Sequence, residues 1–203
     1  MGASASLQPL PPLVPVSYVD LRRYSGRWWQ IALMPNSFQS TSAHNVTATY
    51  TPNERDPTTL AVLNEAYDAH NHRTWIGGRA QIDPVAAASD TTRQPGRLIV
   101  FFEPNDTQPF VWPLGAPYWI IELGSGADYG YAIVSDPMRR FLWILSRTPQ
   151  LDETTIRGIL GRLITVHGFA AERLADIVWT RNDAAPPADA KEHTPGGPDN
   201  ACT

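Results

Sequence analysis

Residues 46 to 51 read Val-Thr-Ala-Thr-Tyr-Thr, apolar and hydroxyl side chains in strict alternation. A period of two marks a strand with one face toward a core and the other toward water. Seven more short β-type runs lie along the chain, at Trp28 to Met34, Leu60 to Tyr67, Thr74 to Ile82, Leu98 to Phe102, Tyr118 to Leu123, Tyr131 to Val134 and Phe141 to Leu145. Turn formers separate them at Pro52-Asn53, Asp68 to Asn71, Asp83-Pro84, Gly124 to Gly126 and Asp136-Pro137. Short strands at this spacing build an antiparallel barrel or sandwich rather than an α/β fold.

One helix follows the strands. Asp152 is placed as its N-cap, Ile156, Ile159, Leu160, Leu163 and Ile164 recur at helical spacing, and Gly168 can end it in a left-handed conformation. Its apolar stripe needs a surface to cover, most simply the outside of the sheet. Ile177-Val178-Trp179 adds a last short strand. Residues 1–16 read as a proline-rich arm, 17–180 as one domain, and 181–203, rich in Pro, Gly and Ala, as a disordered tail.

Composition narrows the function. At 203 residues the chain is long enough for one sizeable core. Its net charge of -4 offers no basic surface for nucleic acid. The single cysteine, Cys202, excludes an intrachain disulfide and four-cysteine zinc sites, and it is not fourth from the end, as prenylation requires. No apolar run reaches the 18 residues of a membrane-spanning helix, and the proline-broken N-terminus is not expected to act as a secretory signal.

Three segments together resemble a known family. Tyr24 to Ala32, with Gly26 and Trp28, is similar to the Gly-x-Trp signature of the lipocalins. Asp128-Tyr129 before Tyr131 to Val134 is similar to their Thr-Asp-Tyr signature, with Ala127 in place of the threonine. Phe141 to Pro149 resembles the third signature, whose arginine is here Arg147. Within the family the likeness is to the branch of bacterial lipocalin, plant temperature-induced lipocalin and apolipoprotein D, through Val62 to Glu65, Ala116 to Ile120 and Leu142 to Thr148. The resemblance spans roughly residues 18–180. It implies an eight-stranded antiparallel up-and-down β-barrel, with the C-terminal helix packed outside and a short final strand. It also implies a binding protein for a small hydrophobic ligand, with a role at membranes under stress. The family's enzymes need a cysteine inside the barrel or a cysteine-rich flank, and neither is present, so no catalytic residue is assigned. An isomerase or de-epoxidase activity on a lipophilic substrate is the alternative reading.

Alternation then assigns faces. Trp28, Gln30, Ala32 and Met34 are expected inside, as are Val46, Ala48 and Tyr50. Leu98, Val100 and Phe102 follow family parity inward, leaving Ile99 and Phe101 outside as a membrane- or partner-facing patch or, equally, as a contact for the chain's own arms. Glu122 should avoid the interior, which turns Trp119 and Ile121 inward; Tyr131, Ile133, Phe141, Trp143, Leu145 and Arg147 share the inward parity. The expected ligand contacts are Gln30, Tyr50, Asn64, Phe102, Trp119, Tyr131 and Trp143. Gly26, Trp28 and Arg147 form the structural base, the guanidinium lying on the indole face. Burial of about 300–400 Å² of ligand surface gives roughly 8–10 kcal/mol gross. Association costs offset several of these, leaving an affinity near micromolar.

Other signals carry less. Met1 to Ser6 fits the N-myristoylation pattern and makes Gly2 the candidate lipidation site. Asn45-Val46-Thr47 is a sequon, and His70-Asn71-His72 reads as a solvated turn with no third ligand, so no metal is expected. No cofactor is expected either. The expected partners are the ligand and a membrane surface, on a monomer or weak dimer in the cytosol or at the cytoplasmic face of a membrane. A periplasmic, extracellular or organellar site is the alternative.

Overall fold

The computed structural model describes residues 10–89, 95–103 and 115–183. Gly2, Cys202 and residues 184–203 of the tail lie outside the described residues. Eight strands, β1 (Gly26–Leu33), β2 (His44–Pro52), β3 (Thr59–Tyr67), β4 (Arg73–Ile82), β5 (Arg97–Phe102), β6 (Ala116–Leu123), β7 (Tyr131–Ser135) and β8 (Leu142–Ser146), pair in order. β1 meets both β2 and β8, which closes the sheet into an antiparallel barrel. Closure leaves no long open edge.

Among the described residues, four helices flank the strands. Three are short and carry no sequence signal strong enough to announce them: α1 (Leu21–Tyr24), α2 (Pro84–Ser89) and α4 (Ala171–Ala175). α1 starts at Asp20, whose carboxylate accepts from the Arg22 and Arg23 amides, and brings Tyr24 against one end of the barrel. The remaining one, α3 (Glu153–Thr165), is the expected helix. Asp152 caps it by accepting from the Thr155 amide at 2.9 Å, and Gly168 follows at a φ of +67°.

Two apolar clusters divide the molecule. The inner one holds Trp28, Tyr50, Leu60, Val62, Leu98, Val100, Ile120, Val134 and Leu145. The outer one packs Ile159 and Leu163 of α3, both fully buried, with Ile133, Ile144, Ile121 and Phe169. Each such buried side chain contributes on the order of 1.5–3 kcal/mol.

Three bulges among the described strands change which residues face inward. Residues directly opposite in an antiparallel pair share a face. Gln30 pairs with Leu145, but Ala32 pairs with Ile144 and Leu33 with Trp143, so an extra residue sits at Ile31. Leu33 therefore turns inward, while Ala32 and Met34 join the outer cluster, against the expectation from alternation. Ile120 pairs with Val134 and Glu122 with Ile133, placing a second bulge at Ile121. It puts Tyr118, Ile120 and Leu123 inside and moves Trp119 and Ile121 to the outer cluster, where Ile133 also lies. A third lies between His44 and Thr47 in β2. A bulge adds one residue and inverts the parity beyond it.

The last strand, β9 (Val178–Trp179), pairs with Ala32 and Leu33 of β1, where β1 has parted from β2. The chain continues along this seam. Thr180 N–H donates to Ile31 O, Arg181 O accepts from Asn45 N–H, and Asn182 donates to Gln30 O. Residues 181–183 are thus tied to the barrel. On β6, Ile120 O accepts from Val16 N–H while Val16 O accepts from Gly96 N–H, so the proline-rich segment from residue 10 is tied to the sheet rather than free of it.

Candidate functional site

The inward faces of β2 to β5 form a continuous wall. Ala48 lies opposite Asn64, Asn64 opposite Ile76, Val62 opposite Gly78 and Gly78 opposite Phe102. Among the described strand residues that face inward by this register, none carries a charge. Toward α1 the interior is filled: Leu60, Val62, Ala80, Leu98, Val100, Ile120, Ala132, Val134 and Leu145 are buried. Ala48, Asn64, Ile76, Phe102, Tyr118 and Trp143 face inward by register and are only partly buried, so packing is less complete on this part of the wall. At the mouth Phe38, more than half exposed, packs on Phe141 and Trp143 with centroid distances of 5.4 and 6.2 Å.

The closed end is a knot of hydrogen bonds around Trp28. Its indole N–H donates to Tyr24 O at 2.8 Å. Arg147 lies 3.7 Å from the indole centroid and donates to the carbonyls of Arg23, Arg27 and Asp128. Arg23 repeats the pattern on the Tyr129 ring, at 4.0 Å, and donates to Gly126 O and Ala127 O. These contacts satisfy strand-end carbonyls that would otherwise lack partners. Gly26 takes a φ of +91° beside the Arg147 guanidinium, a conformation that side chains disfavour.

Just inside this base, three tyrosines from three elements meet. Tyr24 of α1 and Tyr50 of β2 each bring a hydroxyl to that of Tyr118 on β6, at 2.7 and 2.8 Å. Burial pushes the Tyr50 hydroxyl up to about 12 and holds Tyr24 and Tyr118 well above their ordinary value, so all three stay protonated.

Chain comparisons fit this geometry. The lipocalin-like domain family matches residues 19–178. The chain belongs to the lipocalin family. Lipocalins bind small hydrophobic ligands, and this one is 33% identical over 150 residues to temperature-induced lipocalin-1 of Arabidopsis thaliana, covering 73% of this chain and 74% of that protein. It is 32% identical over 163 residues to the outer membrane lipoprotein Blc of Vibrio cholerae, covering 79% and 82%. Apolipoprotein D of Mus musculus is 29% identical over 174 residues, covering 82% and 79%. Among solved structures, insecticyanin of the tobacco hornworm Manduca sexta superposes with a TM-score of 0.65 at 20% identity, over 88% of each chain. That likeness supports the barrel fold.

The expected contact residues of this lipocalin divide into three groups. Tyr50, Asn64, Phe102 and Trp143 face the interior together. Gln30 also lies inside by register, but its amide is occupied: it donates to Thr180 Oγ1 and accepts from Gln39, tying the β1–β2 loop to the seam. Trp119 and Tyr131 are not inside. Trp119 carries Arg97 over its ring at 4.9 Å, and Tyr131 donates its hydroxyl to Glu122 at 2.7 Å beside Arg162 of α3. The bulge at Ile121 moves the first; the second follows because β7 is apolar on both faces, so alternation held no polar marker.

Glu122 therefore binds the helix rather than merely avoiding the core. It accepts from Arg162 at 2.6 Å and lies 3.2 Å from His167 Nε2. Burial raises its pKa, but the His167, Arg162 and Tyr131 hydrogen bonds outweigh that and bring it down to about 2. Sequence reasoning missed Tyr24 and Tyr118 as interior groups. It also missed Asp68, which joins His70 and His72 with possible ligand atoms within 4.8 Å of one another. The turn itself uses that carboxylate, which accepts from the His70 and His72 amides.

Proposed function

We propose that this lipocalin holds a fatty acid, lysophospholipid, sterol or carotenoid-like molecule inside its barrel and carries or scavenges it. The observation that carries this reading is the uncharged, partly aromatic inward face whose residues are only partly buried: Ala48, Asn64, Ile76, Phe102, Tyr118 and Trp143. Such a surface attracts apolar ligands with one or two polar contacts fixing orientation. The names of two relatives, one temperature-induced and one an outer membrane lipoprotein, support a stress-related role close to a membrane. For this chain we propose the cytosol or a cytoplasmic membrane face, a reading that these names do not bear on. Native mass spectrometry of the protein from its host, with extraction of what accompanies it, tests the reading. A single lipid or pigment near one-to-one supports it. An empty barrel that no lipophilic probe enters overturns it.

A further inference from the structure

Hydrogen-bond arithmetic at the tyrosine cluster points to the ligand's polar end. Three hydroxyls hold three protons, and the cluster contains two hydrogen bonds, Tyr50 to Tyr118 and that between Tyr24 and Tyr118. One O–H is left over, whichever way the second bond runs. Tyr24 and Tyr50 are buried, at 0% and 3% exposure, while Tyr118 is only partly buried. An unmade hydrogen bond costs least where a partner can arrive. That places the free proton on Tyr118, which accepts from both neighbours and turns its own O–H toward the barrel interior that its strand faces. A hydroxyl that accepts two hydrogen bonds is also a stronger donor.

The partner must be an acceptor, and charge decides which kind. No charged side chain faces inward among the described strand residues, and the Arg147 guanidinium at the base already lies on Trp28 and donates to three carbonyls, so an ionised carboxylate would find no free cation there among the described residues. Bringing one to this depth costs more than a single hydrogen bond returns. A carbonyl oxygen accepts without bringing either a charge or a proton that needs its own partner. We propose that the Tyr24–Tyr50–Tyr118 cluster receives the uncharged carbonyl oxygen of a ligand that enters the barrel carbonyl end first. This rests on the barrel being the ligand site, and it narrows the ligand to esters, ketones or aldehydes.

The test compares methyl decyl ketone with the alkene in which a methylene group replaces its oxygen, and with undecanoate at neutral pH. Affinities are read by calorimetry for the wild type and for Tyr118→Phe. The wild type is expected to bind the ketone about fivefold more tightly than the alkene and more tightly than undecanoate. Tyr118→Phe should bind ketone and alkene alike. The infrared carbonyl stretch of the bound ketone should also lie lower in the wild type than in a dry apolar solvent, a reading that needs no variant. Equal binding of ketone and alkene by the wild type, a carboxylate that binds most tightly, or an unshifted stretch overturns the cluster's role while leaving the barrel as carrier. Failure of all three probes to bind overturns the carrier reading itself.

Discussion

The guanidinium carbon of Arg147 lies 3.7 Å from the centroid of the Trp28 ring. The same group donates to three carbonyls on two segments, Arg23 and Arg27 on one side and Asp128 on the other. Flat stacking and a fork of donors are properties of arginine that lysine lacks. Arg147→Ala should lower unfolding free energy by about 2–3 kcal/mol, and Arg147→Lys should recover less than half of that. Urea unfolding followed by far-UV circular dichroism measures both. A lysine variant as stable as the wild type would show that charge alone suffices.

Trp119 and Trp143 sit on opposite sides of the barrel wall, one against the outer cluster and one against the inner. A lipophilic quencher bound inside should therefore darken Trp143 more strongly. Trp143→Phe is expected to remove most of the ligand-dependent quenching, and Trp119→Phe very little. Steady-state fluorescence titration of the two variants checks this, and equal losses would contradict the inverted register of β6.

Glu122 carries the clearest pH signature. Its pKa falls from 4.5 to about 2 in the folded protein, so its stabilising effect is complete above pH 4.5. It is lost as pH falls from 4.5 toward 2, because protonation then favours the unfolded chain. Allowing for the partly exposed Arg162 partner, the effect is roughly 2 kcal/mol. Glu122→Gln should be less stable at pH 7 and should show a flatter decline in the acid range. Denaturant midpoints at several pH values measure it.

The side-chain carbonyl of Asn64 is buried without a hydrogen-bond partner. An orphaned acceptor costs about 1–3 kcal/mol. Asn64→Leu, with the same number of side-chain heavy atoms and the same branch point, should stabilise the empty barrel by about 1 kcal/mol. Thermal unfolding tests it, and a loss of stability would mean that the amide is satisfied in solution.

Much of this architecture is legible in the sequence. The alternation in β2, the Asp152 cap and the stripe of α3 come from local rules, and those rules hold because each depends on neighbours within one turn or one strand. The Trp28 and Arg147 pairing comes from the family likeness. What fails is parity beyond a bulge. Nothing in Gln30-Ile31-Ala32 or Ile120-Ile121-Glu122 marks an extra residue, because apolar side chains occupy both faces there and the bulge is set by the partner strand. The tyrosine cluster is hidden for a related reason: it joins α1, β2 and β6, and no spacing in the sequence shows that three such segments meet.

The seam between β1 and β2 has a bearing on how the protein is made. The far end of β1 is covered by residues 178–182, about 150 positions later in the chain. Contacts so far apart form slowly and close expensive loops. During synthesis the edge of β1 at Ala32 and Leu33 must wait, its hydrogen-bonding groups unmatched on that side, until nearly the whole domain has left the ribosome. A nascent chain stopped before residue 178 can still join β1 to β2 and to β8, but it keeps a slit in its wall beside Ala32 and Leu33, where the last strand would lie.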